Sequence, residues 1–156
     1  MVTTAADMMT SPAIVVAPTT SMAEIAALLT SKGVSAVPVC NPDGSLAGIV
    51  SEGDILKPFR ESTRQRRDWW LGKFAEGEVL SQEFLDYLRR DTRSAADVMV
   101  RHVISADEAT TLPQLAELMV THAVKRIPIL RAGRVVGVVS RADLVAAIAR
   151  APAMLV

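Results

Sequence analysis

Gly48-Ile49-Val50-Ser51-Glu52-Gly53-Asp54 and Gly137-Val138-Val139-Ser140-Arg141-Ala142-Asp143 are one pattern written twice. Each is an apolar run ending in Ser-x-x-Asp, the form of a β-strand that runs into a capped helix. Working outward, Val37-Pro38-Val39 returns as Ile127-Pro128-Ile129 and Ala6-Asp7-Met8-Met9 as Ala96-Asp97-Val98-Met99, both at a spacing of 90. The Gly, Ser and Asp anchors return at 89. The one-residue difference falls between the turns Asn41-Pro42-Asp43-Gly44 and Arg131-Ala132-Gly133, where a deletion costs least. Anchors at so constant a spacing identify an internal duplication.

Each copy reads β-α-β-β-α. A short β-rich run comes first, Ala13 to Val16 and Val103 to Ser105. An amphipathic helix follows, opened by Ser21-Met22-Ala23-Glu24 in one copy and Thr111-Leu112-Pro113-Gln114 in the other, both capping boxes. Ile25, Leu28 and Leu29, and then Leu115, Leu118 and Met119, form the inward faces. The helices give way near Lys32-Gly33 and His122-Ala123. Two strands with a tight turn come next: Ala36 to Cys40 with Leu46 to Val50, and Arg126 to Leu130 with Val135 to Val139. A short helix after Ser51 or Ser140 closes each copy. One copy is too small to bury a secure core alone, so the fold class expected is α/β (α+β), two repeats packed as a pseudo-two-fold pair.

Composition divides the chain into parts. The 156 residues carry 17 Lys+Arg and 17 Asp+Glu, a net charge of zero, which argues against a general polyanion binder. Residues 1–56 have a net charge of −4, 57–94 of +2 and 95–156 of +2. All six aromatics, Phe59, Trp69, Trp70, Phe74, Phe84 and Tyr87, lie in the middle part. The expected organisation is a first repeat over 1–57, a helical insertion over 58–94, a second repeat over 95–150 and a tail over 151–156. The lone Cys40 reads as a buried small hydrophobe. No apolar run approaches the roughly 20 residues of a membrane helix, and Met1-Val2-Thr3-Thr4 is not the start of a signal peptide. A cytoplasmic protein that meets no membrane is therefore expected.

The β-α-β-β-α repeat, the strand Val34-Ser35-Ala36-Val37-Pro38-Val39 and the ending Gly48 to Asp54 resemble a CBS (cystathionine β-synthase) domain. Val124 to Ile129 and Gly137 to Asp143 match equally well. The whole resembles a tandem CBS pair, or Bateman module, over 6–57 and 96–149. With no separate catalytic or transport domain left over, it is similar to the stand-alone CBS-pair proteins. The resemblance implies a non-catalytic regulatory module that senses an adenine nucleotide (AMP, ADP or ATP) or a related adenosyl ligand, sometimes S-adenosylmethionine or NAD, and signals by a conformational shift. It requires no cofactor. It also implies a homodimer, since family members commonly form flat disc-like dimers of pairs, and a protein partner that receives the signal.

The residues suit that chemistry. At each strand-to-helix junction, amide N–H groups and the helix dipole favour a phosphate. The carboxylate of Asp54 or Asp143 can accept from a ribose diol, and Ser51 or Ser140 can reach phosphate or ribose oxygens. Ser-x-x-Asp is equally an ordinary helix cap, and the two roles are compatible. By the family's crosswise arrangement, one cleft pairs Ser51 and Asp54 with Ile104, Lys125, Arg126 and Pro128. The other pairs Ser140, Arg141 and Asp143 with Thr10, Ile14, Ser35, Ala36 and Pro38. The first, with two cations, is expected to take the more highly charged nucleotide.

In the insertion, Trp70 and Phe74, then Phe84 and Leu88 with Ser81 as cap, predict two short helices. They either cover the repeats or offer a partner surface, and the second option supports the alternative reading: a structural or dimerisation module with vestigial clefts that holds a protein partner through its aromatics. Arg64-Gln65-Arg66-Arg67-Asp68-Trp69-Trp70 mixes basic and aromatic residues, but seven acidic residues in the same insertion argue against nucleic acid. There is no phosphate-binding G-x-x-x-x-G-K-S/T loop, no metal-spaced His/Cys cluster and no nucleophile motif, so no catalytic residue and no metal site is assigned. His102 and His122 read as surface or helix-end residues.

Overall fold

The computed structural model describes residues 2–61 and 92–151. The two helices expected within the insertion, with Trp70, Phe74, Ser81, Phe84 and Leu88, lie outside the described residues, as does most of the tail. In chain order the elements are α1 (Ala5–Met8), α2 (Met22–Lys32), β1 (Ala36–Cys40), β2 (Leu46–Ser51), α3 (Glu52–Glu61), α4 (Ala95–Val98), β3 (Ala106–Asp107), α5 (Leu112–His122), β4 (Arg126–Arg131), β5 (Arg134–Ser140) and α6 (Arg141–Arg150). The mixture of helices with small sheets is the expected α/β class. Among the described residues no helix is long and apolar enough to cross a membrane.

Local chemistry sets the element ends. Ser21 Oγ accepts from Glu24 N–H and Thr111 Oγ1 from Gln114 N–H, so both expected capping boxes form. Helix α2 stops at Gly33 (φ 64°) and α5 at Ala123 (φ 53°), both left-handed. In each case the next residue closes the end, with Val34 N–H bonding Leu29 O and Val124 N–H bonding Met119 O at 3.1 Å. Only the first copy uses glycine there, and an alanine in this region is strained. Replacing Ala123 with Gly is expected to raise stability by up to about 1 kcal/mol, and Gly33 with Ala to lower it by a similar amount, read from urea unfolding midpoints.

The contacts divide the chain into two compact units that cross the repeats. Unit 1 gathers Met1–Val15, Cys40–Ala47 and Arg101–Val156; unit 2 gathers Val16–Val39 and Gly48–Val100. The N-terminal segment therefore lies with the second repeat. Ala5 N–H bonds Thr110 O at 2.8 Å, Leu112 N–H bonds Thr3 O at 3.0 Å, and Thr10 pairs with Val138 in both directions. The segment around α4 does the same in unit 2, where Ala95 N–H bonds Thr20 O at 2.8 Å and Val100 pairs with Ile49.

In unit 1, β3, β4 and β5 form one sheet in that order, β3 parallel to β4 and β4 antiparallel to β5. Ala5, Leu112, Leu115, Ile127, Ile129 and Val139 are fully buried on it, with Met8, Met119, Leu144 and Ala147 nearly so. Each fully buried Leu, Ile or Val side chain among these contributes about 1.5–3 kcal/mol. Strand β3 begins at Ala106, just past the run expected over Val103 to Ser105, because its pairing with Ile129 and Leu130 fixes the register. Arg131 grips Glu108 with two hydrogen bonds and holds its carboxyl below the ordinary carboxylate range. The tip of the β1–β2 hairpin also belongs to this unit: Gly44 O accepts from Val135 N–H at 3.1 Å.

In unit 2, β1 and β2 pair, and Val16 takes the place of β3 as a single parallel bridge to Val39. Among the described residues its buried apolar side chains are Val16, Met22, Ile25, Leu29, Val37, Pro38, Val39, Val50, Ile55 and Ala95. Leu28, and Leu118 in the other copy, are only half-buried; Met22 and Leu112 at the first helical position do more of the packing. Cys40 is buried, and that burial pushes its thiol pKa up.

Candidate functional site

The two Ser-x-x-Asp junctions are built alike. Strand β2 delivers Ser51 to the start of α3, and β5 delivers Ser140 to the start of α6. Ser51 N–H donates to Asp54 Oδ2 at 2.8 Å, Ser51 Oγ–H donates to the same oxygen at 3.0 Å, and Asp54 N–H donates to Ser51 Oγ at 3.4 Å. In the second copy Ser140 N–H donates to Asp143 Oδ2 at 2.8 Å and Asp143 N–H to Ser140 Oγ at 3.2 Å. Each carboxylate thus commits Oδ2 to the cap. Oδ1 accepts no hydrogen bond among the described residues, so an acceptor is left over at the mouth of each helix.

Ser/Thr-x-x-Asp boxes also open the short helices α1 and α4, as Thr4-x-x-Asp7 and Ser94-x-x-Asp97. The motif alone is therefore a cap. What separates the longer helices is exposure: Asp7 and Asp97 lie in solvent, whereas Asp54 and Asp143 are half-buried. A half-buried free acceptor is the more effective ligand anchor, because its hydrogen bonds compete less with water.

Neighbouring backbone ties each junction to the preceding strand. Glu52 N–H bonds Ser35 O, and Arg141 N–H bonds Lys125 O, both at 2.9 Å. Arg126 stands opposite Ser140 in the β4–β5 register. The expected site residues therefore distribute as follows. Unit 2 holds Ser35, Ala36, Pro38, Ser51 and Asp54; unit 1 holds Thr10, Ile14, Ile104, Lys125, Arg126, Pro128, Ser140, Arg141 and Asp143. Pro38 and Pro128 are fully buried strand residues, and Lys125, Arg141 and Thr10 are exposed. The cations are unevenly placed: Lys125, Arg126 and Arg141 accompany Ser140, while their counterparts beside Ser51 are Ser35, Ala36 and Glu52.

Thr10, expected beside Ser140, bonds to β5 two residues before it; the equivalent Val100, which bonds to β2 two residues before Ser51, was not among the expected site residues. The signal was present in the repeated Ala-Asp-x-Met. Elsewhere in unit 1, an open groove of about 590 Å³ is lined by Asp107, Thr110, Gln114, Glu117, Leu118, Thr121 and His122, and it contains none of the anchor residues. No group of three or more His, Cys, Asp or Glu that could hold a metal ion occurs among the described residues.

Comparison with known proteins agrees with this architecture. The family model described as CBS domain matches residues 5–61 and 95–150. An uncharacterised protein of Methanocaldococcus jannaschii is 31% identical over 153 residues, covering 91% of this chain and 89% of that protein. The crystal structure of CBSX2, a CBS-pair protein of Arabidopsis thaliana, in complex with AMP superposes with a TM-score of 0.70 at 25% identity, covering 95% of this chain and 97% of that one. The CBS domain pair of protein MJ0100 superposes with a TM-score of 0.71 at 21% identity, covering 96% and 98%, a likeness of fold.

Proposed function

The chain belongs to the CBS domain family as a tandem pair, and from that premise we propose that it is a regulatory module that binds an adenine nucleotide or related adenosyl ligand. The observation that carries this reading is the duplicated half-buried carboxylate, Asp54 and Asp143, with one oxygen held by the cap and the other open to a ribose diol. The AMP complex of CBSX2 supports the ligand class. Ser51 and Ser140 with the first helical amides serve the phosphate end. The remaining residues assigned to the walls are Thr10, Ile14, Ile104 and Pro128 in unit 1, and Ser35, Ala36 and Pro38 in unit 2. Binding shifts the population of conformers, and a homodimer passes occupancy to a protein partner without chemistry on the ligand.

A thermal-shift series with AMP, ADP, ATP, NAD and S-adenosylmethionine tests the proposal. A ligand at 100 times its Kd adds about 2.7 kcal/mol to the folded state, enough to raise the Tm by several degrees. A shift with at least one of the five is expected; no shift with any of them overturns the reading. The second reading, a structural or dimerisation module with vestigial clefts, is favoured by the concentration of all six aromatics between Phe59 and Tyr87. It is the reading left standing if no ligand shifts the Tm.

Lys125, Arg126 and Arg141 are assigned to phosphate. Replacing Lys125 and Arg126 together by Ala is expected to weaken ATP about tenfold or more in titration calorimetry and to leave adenosine within about twofold. Equal loss for both removes the phosphate role.

A further inference from the structure

We infer that Met9 and Met99 form a duplicated thioether modification site, oxidised by peroxide, whose sulfoxides release the exchanged segments from β5 and β2. The inference stands apart from the ligand reading. The two methionines occupy equivalent places, each ending a short helix of the exchanged segment. Each side chain rests on a glycine of the facing strand. A methyl group placed on Gly137 would stand 2.5 Å from Met9 Sδ, and one on Gly48 would stand 2.7 Å from Met99 Sδ. The sulfur therefore fills the space that a side chain takes at other strand positions, and there is no room beside it on the strand side.

Exposure distinguishes these two residues from the other methionines of the described residues. Met8, Met22 and Met119 are 7%, 0% and 4% exposed, whereas Met9 and Met99 are half-buried. The partial exposure of these two residues is the route assigned to a small oxidant in the folded protein. A sulfur lone pair attacks one peroxide oxygen, the O–O bond breaks, and the thioether becomes a sulfoxide while the peroxide leaves as water. The sulfur loses two electrons and the peroxide gains them. The product is polar and larger. It forms next to the bonds that hold each segment, Thr10 N–H to Val138 O at 3.0 Å and Val100 N–H to Ile49 O at 2.9 Å. Its oxygen must either displace the strand or turn to water and lift the segment.

The test is a hydrogen peroxide titration of the intact protein followed by peptide mass mapping, hydrogen exchange and thermal melting. Met9 and Met99 are expected to oxidise at least tenfold faster than Met8, Met22 and Met119. Exchange is expected to rise over 4–10 and 94–100, and the Tm to fall by roughly 3–6 °C. The Met9→Leu, Met99→Leu double variant keeps the packing volume and should hold its Tm through the same treatment. Methionine sulfoxide reductase should restore the Tm of the oxidised wild type, a measurement that stands even if the double variant folds poorly. Equal oxidation rates across the five methionines, or a Tm unchanged after full oxidation of Met9 and Met99, overturn the proposal.

Discussion

Replacing Gly48 with alanine is expected to cost about 2–3 kcal/mol, lowering the urea midpoint with little change in slope. The added methyl group would stand 2.7 Å from Val100 O and 2.7 Å from Met99 Sδ. The first of these accepts from Ile49 N–H, and Val100 N–H donates back to Ile49 O, so it cannot yield without loosening the exchanged segment. Gly137→Ala meets a softer obstacle. Its methyl group would stand 2.5 Å from Met9 Sδ and 2.8 Å from Met9 Cγ, with Thr10 O at 3.0 Å. Trimming the flexible side chain, Met9→Ala, should therefore recover part of the loss in Gly137→Ala. The corresponding Met99→Ala should recover little in Gly48→Ala. Equal rescue in the two pairs would show that side-chain crowding alone governs both positions.

The second large effect concerns the anchors. Asp143→Asn and Asp54→Asn retain a carbonyl oxygen to accept the Ser140 or Ser51 N–H, so the helix caps persist and stability is expected to change by less than about 1 kcal/mol. The other carboxylate position becomes an amide NH2, a donor where a ribose diol needs an acceptor. Affinity for the nucleotide that shifts the Tm is expected to fall roughly 10- to 100-fold for the site concerned, the range for losing a hydrogen bond to a charged group. Calorimetry on each single variant and on the double variant separates the two sites. Affinity within about twofold of wild type in the double variant would reduce both carboxylates to caps.

Strands and caps were legible because their signals are local. Turn residues flank Ala36–Cys40 and Leu46–Ser51, and the structure places both elements within a residue of the reading. The Ser21 and Thr111 boxes formed because their partners lie three residues away. The short helices α1 and α4 were missed as elements: four residues make barely one turn, too few to show a period. Their exchange between repeats was hidden for another reason. It depends on contacts such as Thr10 with Val138, which no window of sequence contains. The same holds at the site. Ser51, Asp54, Ser140 and Asp143 could be placed at helix starts from spacing alone. Whether a carboxylate is half-buried, as at Asp54, or in solvent, as at Asp7, follows only from what packs around it.

The crossing-over of Ala5–Met8 and Ala95–Val98 has one more consequence. A single copy, cut free at the middle of the chain, would carry a plug for a socket it no longer owns and a socket with no plug. Its nearest remedy is a sister molecule, so an isolated half should be found in twos. Joining the halves in one polypeptide turns that encounter between molecules into an internal one, independent of how dilute the protein is.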